Sequence, residues 1–281
     1  MTWRANPLLR TAWMTMSTAV GRAKGFVIPY RYADSVEPPA SYAALELFFK
    51  AAEPEFRAFL AAAASYLPQL AAFGREPPPA PRFEQDWFPR LDAATAYAVV
   101  RKLRPACIIE IGSGHSTRFM ARAAADEGAG TRITAIDPAP RAALNGLAIE
   151  FVRATLQQAG SARFDALAAG DVVFIDSSHI LMPGTDVDLL LNTVLPRLPA
   201  GVLVHVHDIF LPDAYPAPWR WRGYNEQNAV AALISGGGYQ LRWSSRYAVT
   251  RMAADVEGAG LAGLPLPQGA YESSLWLVKA A

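Results

Sequence analysis

From about residue 83 the chain alternates short apolar runs with longer stretches whose apolar positions recur every three or four residues. The runs are C-I-I-E-I (107–111), R-I-T-A-I-D (132–137), I-E-F-V (149–152), D-V-V-F-I-D (171–176), G-V-L-V-H-V-H (201–207), Y-Q-L-R-W (239–243) and L-W-L-V-K (275–279). Runs that are apolar on both faces and joined by helical segments predict a mostly parallel sheet covered by helices on each side. Seven such runs predict an α/β, doubly wound, Rossmann-like sheet with one antiparallel strand. Upstream, the Ala-, Leu- and Phe-rich stretch 41–72, with a proline near its middle, predicts two helices. The segment R-E-P-P-P-A-P-R (75–82) cannot continue a helix and reads as a semi-rigid connector. The chain therefore divides into an N-terminal helical extension or lid, 1–82, and a main domain, 83–281.

Composition narrows the function classes. Across 281 residues, 52% are hydrophobic, 18% are charged and the net charge is +1, which suits a large buried core and offers no basic footprint for nucleic acid. The single cysteine, Cys107, excludes a disulfide framework or a thiolate zinc cluster, sits among apolar neighbours as a small core residue, and fits the cytoplasm. No run is apolar and long enough to span a membrane, and the N-terminal 22 residues lack the apolar centre of a secretory signal. A helix packing on the core or on a partner, including a second copy, is expected there.

In a doubly wound sheet, ligands bind beyond the carboxyl ends of the strands. The first such end reads E-I-G-S-G-H-S-T (110–117): Gly112 and Gly114 permit a tight turn close to a ligand, and Ser116 or Thr117 can cap the next helix. Thr117 stands where a dinucleotide fingerprint has its third glycine, which disfavours a nicotinamide-dependent oxidoreductase. Asp137 ends the second strand, where a carboxylate can accept from ribose hydroxyls or start the turn at Pro138. Glu110, inside an apolar strand, needs a hydrogen-bonding or cationic partner.

An acid before G-x-G, a second acid ending the next strand and seven strands in this order resemble the class I S-adenosylmethionine-dependent methyltransferases. The resemblance covers residues 83–281 and implies that Glu110, Gly112, Ser113 and Gly114 approach the methionine portion of S-adenosylmethionine, with Asp137 on the ribose. Ser116 and Asp176 complete the expected cofactor set. Adenine is expected at the turn R-A-T-L-Q-Q (153–158).

All four histidines, His115, His179, His205 and His207, lie at or just past strand ends. Asp176, His207 and Asp208 offer two carboxylates and an imidazole, a plausible set for a divalent metal, magnesium or a softer ion. Strand alternation puts His207 and Asp208 on opposite faces, so both reach one ligand only if the strand ends there, as Pro212 permits. D-x-x-H at 176–179 and the acid at 208 are similar to metal-dependent sugar and cephalosporin O-methyltransferases, whose motif histidine is the base; His207 replaces an acid of that pattern. Methyl transfer to a hydroxyl needs alignment and a base, here His179 or His207, or a metal, while Asp208 could orient a histidine tautomer. The aromatic and basic segment P-A-P-W-R-W-R-G-Y-N-E-Q (216–227) is placed to meet an aromatic or sugar acceptor, with Asn225 capping the helix that follows. The expectation is O-methylation of a small molecule. A metallohydrolase and a cofactor-binding module without catalysis are the alternatives.

Overall fold

The computed structural model describes residues 7–22, 24–128 and 130–281. Its sheet has seven strands in the order β3-β2-β1-β4-β5-β7-β6. They span Cys107–Ile111 (β1), Arg132–Ile136 (β2), Glu150–Val152 (β3), Val172–Ile175 (β4), Leu203–Val206 (β5), Tyr239–Ser244 (β6) and Leu275–Lys279 (β7). Strands β1 to β5 pair in parallel, and β7 runs antiparallel between β5 and β6. All seven coincide with the apolar runs, because strands buried on both faces leave an uninterrupted hydrophobic signature; β4 has every side chain buried.

Helices α5 (Arg90–Leu103) and α6 (His115–Glu127) pack on one another against the sheet, while α9 (Glu226–Ser235) precedes β6. Short helices α7 (Leu156–Ala159) and α8 (Asp186–Leu189) border the carboxyl ends of β3 and β4. Thr155 starts α7 by accepting the N–H of Gln158, whose side chain in turn accepts the N–H of Thr155.

The N-terminal portion holds more helices than expected. The stretch predicted as two helices forms three: α2 (Ala43–Ala51), α3 (Glu53–Ala64) and α4 (Leu67–Leu70), because Pro54 and Pro68 each open a new helix rather than only one breaking the run. The proline connector separates these helices from the sheet in sequence but not in packing. Phe49, Phe56 and Leu60 share one buried cluster with the strands, and Phe59 stacks on Trp243 of β6 at 6.0 Å. Helix α1 (Pro7–Ala19) is more exposed, with Arg10 stacked on Trp221 at 5.0 Å. No helix among the described residues is long and apolar enough to cross a membrane.

Candidate active site

The carboxyl ends of β1, β2 and β4 are tied together by their backbones. The N–H of Gly112 donates to Ile136 O and that of Asp176 to Ile111 O, at 3.0 and 2.8 Å. At φ +83° Gly112 occupies the left-handed region, and a Cβ there would lie 1.8 Å from Asp176 O, so only glycine lets β1 turn away beside β4. Gly114 differs. A Cβ on it would meet Arg141 and Ala142 at ordinary contact distance, 3.8 Å or more, on the rim of a cleft of about 640 Å³.

Gly112, Ser113, Gly114, Ser116, Asp137, Asp176, His179, His207 and Asp208 all line this cleft. Asp137 accepts the Ser113 hydroxyl at 2.9 Å and the N–H of Ala139 at 2.7 Å, so it forms the Pro138 turn and faces the cleft at once. Glu110 lies behind the turn, wholly buried, where both oxygens receive hydroxyls: Ser116 at 2.5 Å and Thr117 at 2.7 Å. It shapes the glycine turn from beneath, and burial raises its pKa to about 8 against the lowering by those two hydroxyls. Neither Ser116 nor Thr117 is the helix cap; Gly114 holds that position, and Thr117 accepts its N–H at 2.9 Å. Beyond β3, Thr155, Leu156 and Gln157 line the cleft where the adenine turn is expected.

The ends of β4 and β5 converge more tightly than strand alternation allows. Strand β5 stops at Val206, and Asp208 takes φ +56°, which reverses the side-chain alternation and brings His207 and Asp208 to one side. His179 is likewise left-handed at φ +60°. Its Nε2 lies 3.4 Å from both Asp176 and Asp208, and its Nδ1 lies 3.0 Å from Glu226. His207 Nδ1 lies 3.5 Å from the same two aspartates, and its Nε2 is 3.2 Å from Asp92. Asp92, on α5 and wholly buried, also accepts the N–H groups of Ser273 and Ser274 at 3.0 Å each. The carboxylate on the far nitrogen of His207 is therefore Asp92 rather than Asp208.

Glu226 and Asp92 are the two site residues absent from the sequence reading. Asp92 had a signal, a lone acid in the otherwise apolar run L-D-A-A-T-A-Y-A-V-V; Glu226 looked like an ordinary first-turn acid. Asn225 does not cap α9 with its side chain, as expected. It accepts the N–H of Leu181 at 2.6 Å, and its backbone N–H donates to His179 O at 3.1 Å, pinning the loop that carries His179.

Burial disfavours charge on each of these groups, and pairing decides which keep it. Hydrogen bonds with Asp176 and Glu226 and the charge of Asp208 outweigh burial and hold His179 well above the ordinary imidazole value. Asp176, Asp208 and Asp92 do the same for His207. Burial pushes the Asp176 carboxyl up, but His207 and His179 reverse that and hold it far below the carboxylate range. Burial raises Glu226, only partly offset by His179. His205 is the contrast: burial and the neighbouring charge of His207 push it well below the ordinary value, and it stacks on Phe174 at 3.7 Å while bonding Ser274 at 2.8 Å. It is a core residue.

Among the described residues, no group of three or more His, Cys, Asp or Glu is arranged to hold a metal ion. Asp176, His207 and Asp208 come together, but as alternating carboxylate–imidazole pairs.

A family model described as a methyltransferase domain matches residues 109–209, from β1 to just past β5. No curated protein matches the chain. Solved structures similar to it include a methyltransferase of Podospora anserina bound to S-adenosylhomocysteine (14% identity, 92% of this chain and 100% of that one, TM-score 0.45). The plantazolicin methyltransferase BpumL (13%, 84% and 100%, 0.43) and an O-methyltransferase from Bacillus cereus (14%, 96% and 99%, 0.41) are also similar. The matched segment contains the glycine turn, Asp137, Asp176, His179, His207 and Asp208, so the part of the chain that builds the cleft is similar to a methyltransferase domain.

Proposed function

We propose that the protein is a class I S-adenosylmethionine-dependent methyltransferase that methylates a hydroxyl of a small molecule, with His179 as the base. The observation that carries the reading is the position of His179: Glu226 engages Nδ1 at 3.0 Å, which leaves Nε2 facing a cleft shared with the glycine turn. A hydroxyl is a poor nucleophile at neutral pH, and an imidazole in reach of its proton answers that need. The carboxylates of Asp176, Asp208 and Glu226 favour the imidazolium, so His179 takes the acceptor's proton from its neutral form and turnover rises with pH through its raised pKa.

Gly112, Ser113, Gly114, Ser116, Asp137 and Asp176 are the proposed cofactor-side residues, with Glu110 acting through the turn. The place of Gly114 on the cleft wall and the Ser177 hydroxyl, buried without a partner beside the cleft, fit a bound group there. When bound, S-adenosylmethionine supplies a methyl on sulfonium sulfur; an O–C bond forms, the S–C bond breaks, and its electron pair stays on sulfur. The base holds the acceptor's proton. Isothermal titration with S-adenosylmethionine and with NAD tests the cofactor: micromolar binding of the first alone is expected, and no binding of it would end the proposal.

A second reading places a divalent ion at Asp176, His207 and Asp208. What favours it is the alternation of carboxylate oxygen and imidazole nitrogen at 3.4 to 3.5 Å, a ring in which a cation could replace shared protons. Such an ion would acidify the acceptor hydroxyl. Titration with magnesium, manganese and zinc, repeated on Asp208→Ala, tests it: one equivalent bound by the parent and none by the variant supports the site. The exposed apolar side chains of Met16 on α1 and of Val20, Phe26 and Ile28 after it support self-association through the N-terminal segment, which light scattering across a concentration series measures.

A further inference from the structure

The acceptor end of the cleft holds a cation that, among the described residues, has no anion. The turn of helix at Ala217–Arg222 and the loop after it bring Trp219, Arg222 and Tyr224 to the cleft wall, joined by Tyr271. Trp219 meets Tyr271 edge-on at 5.5 Å and Tyr224 at 6.0 Å, so the wall is aromatic. The Arg222 guanidinium lies over Trp219 at 4.0 Å, and its Nη1 donates to the Tyr224 hydroxyl at 3.0 Å. Among the described residues no carboxylate pairs with it, and its Nε is buried without a partner. Most buried donors are satisfied, so an open one calls for a partner. The edge bearing Nε and Nη2 is the one that grips a carboxylate with two parallel hydrogen bonds.

Of the other arginines nearby, Arg246 and Arg251 pair with Asp213, and Arg141 stacks on Trp87 beside the glycine turn, on the cofactor side. Arg222 faces the other half. Tyr224 bridges it to the base, its ring 4.6 Å from the His179 ring and 5.4 Å from the Arg222 guanidinium carbon, which limits the separation of the two to about 10 Å. One small aromatic molecule can span that gap.

We propose that the acceptor is a hydroxylated aromatic carboxylate, its ring on the wall of Trp219, Tyr224 and Tyr271, its carboxylate on Arg222 and its hydroxyl at His179. The proposal rests on the methyltransferase reading, and its test keeps the two apart. The protein, saturated with S-adenosylhomocysteine, is titrated calorimetrically with 4-hydroxybenzoate, 3,4-dihydroxybenzoate and 4-hydroxyphenylacetate, and with their neutral amides. The acids should bind about tenfold or more tighter than the amides, the difference a charge-assisted bond makes. Arg222→Gln should remove that difference while leaving amide and S-adenosylhomocysteine affinities unchanged, and Arg222→Lys should restore part of it. Equal binding of acid and amide, no binding of any acid, or an equal loss of both in Arg222→Gln overturns the carboxylate assignment alone. Failure of the parent protein to bind S-adenosylhomocysteine overturns the methyltransferase reading itself.

Discussion

The two halves of the cleft are built from different kinds of contact. On the cofactor side, the polar groups of β1 and β2 are satisfied within a few residues or one strand crossing: Glu110 by Ser116 and Thr117, Asp137 by Ala139 and Ser113. On the acceptor side the partners come from far along the chain, His179 from Glu226 and His207 from Asp92, and both histidines are tied to carboxylates in a buried setting. Hydroxyl-to-carboxylate contacts make a rigid cradle with little charge to move. Carboxylate–imidazole contacts make a place where a proton can be taken and held.

The largest effect that would separate the halves belongs to a glycine pair. Gly112→Ala must displace the backbone of β4 and should destabilise the fold by roughly 4 kcal/mol, read as a lowered urea midpoint. Gly114→Ala, with room for its Cβ, should leave that midpoint in place and weaken S-adenosylmethionine binding. Equal loss of stability in both would erase the distinction between a glycine for folding and a glycine for ligand.

His179→Ala should slow turnover about 10²- to 10⁴-fold with cofactor affinity unchanged, once an acceptor is in hand. Full turnover would remove it as the base. On the other side, Asp137→Ala should weaken S-adenosylmethionine about tenfold or more, by loss of charge-assisted hydrogen bonds, and leave acceptor binding alone. Unchanged cofactor affinity would take Asp137 off the ribose.

The last effect is a tilt rather than an offset. Glu110, with its pKa near 8 in the fold against 4.5 in the open chain, keeps a proton between those values that the unfolded chain has shed. Stability contributed by that difference is fully present below pH 4.5 and is lost as pH rises towards 8. Glu110→Gln removes the titration, so its stability relative to the parent should climb across that window by up to about 1.4 kcal/mol per pH unit and level off above it. Parallel urea midpoints for the two proteins at pH 5, 6.5 and 8.5 would mean that Glu110 is ionised beneath the turn.

The same difference between the halves governs what could be read without coordinates. Seven apolar runs marked seven strands, because burial on both faces writes the strand into composition. The glycine turn and Asp137 were visible for a similar reason: their partners are sequence neighbours, and a G-x-G after a strand has few other uses. The three N-terminal helices were read as two, since a proline can break a helix or begin one, and Pro54 and Pro68 both begin one. Asn225 marked the right helix start, but its side chain was taken by Leu181, a competitor that proximity in space supplied.

The sequence alone therefore determined the sheet, its helical cover, the glycine turn at the end of β1 and the presence of histidines at strand ends. Only the tertiary structure decided what those histidines meet. It placed Asp92 behind His207 from α5, Glu226 behind His179 from α9 and, among the described residues, Arg222 without a paired carboxylate across Tyr224 from His179. Local hydrogen bonding and strand burial repeat at short spacing and leave a pattern in the chain, whereas the pairing of a charge depends on which distant segment the fold brings within about 3 Å.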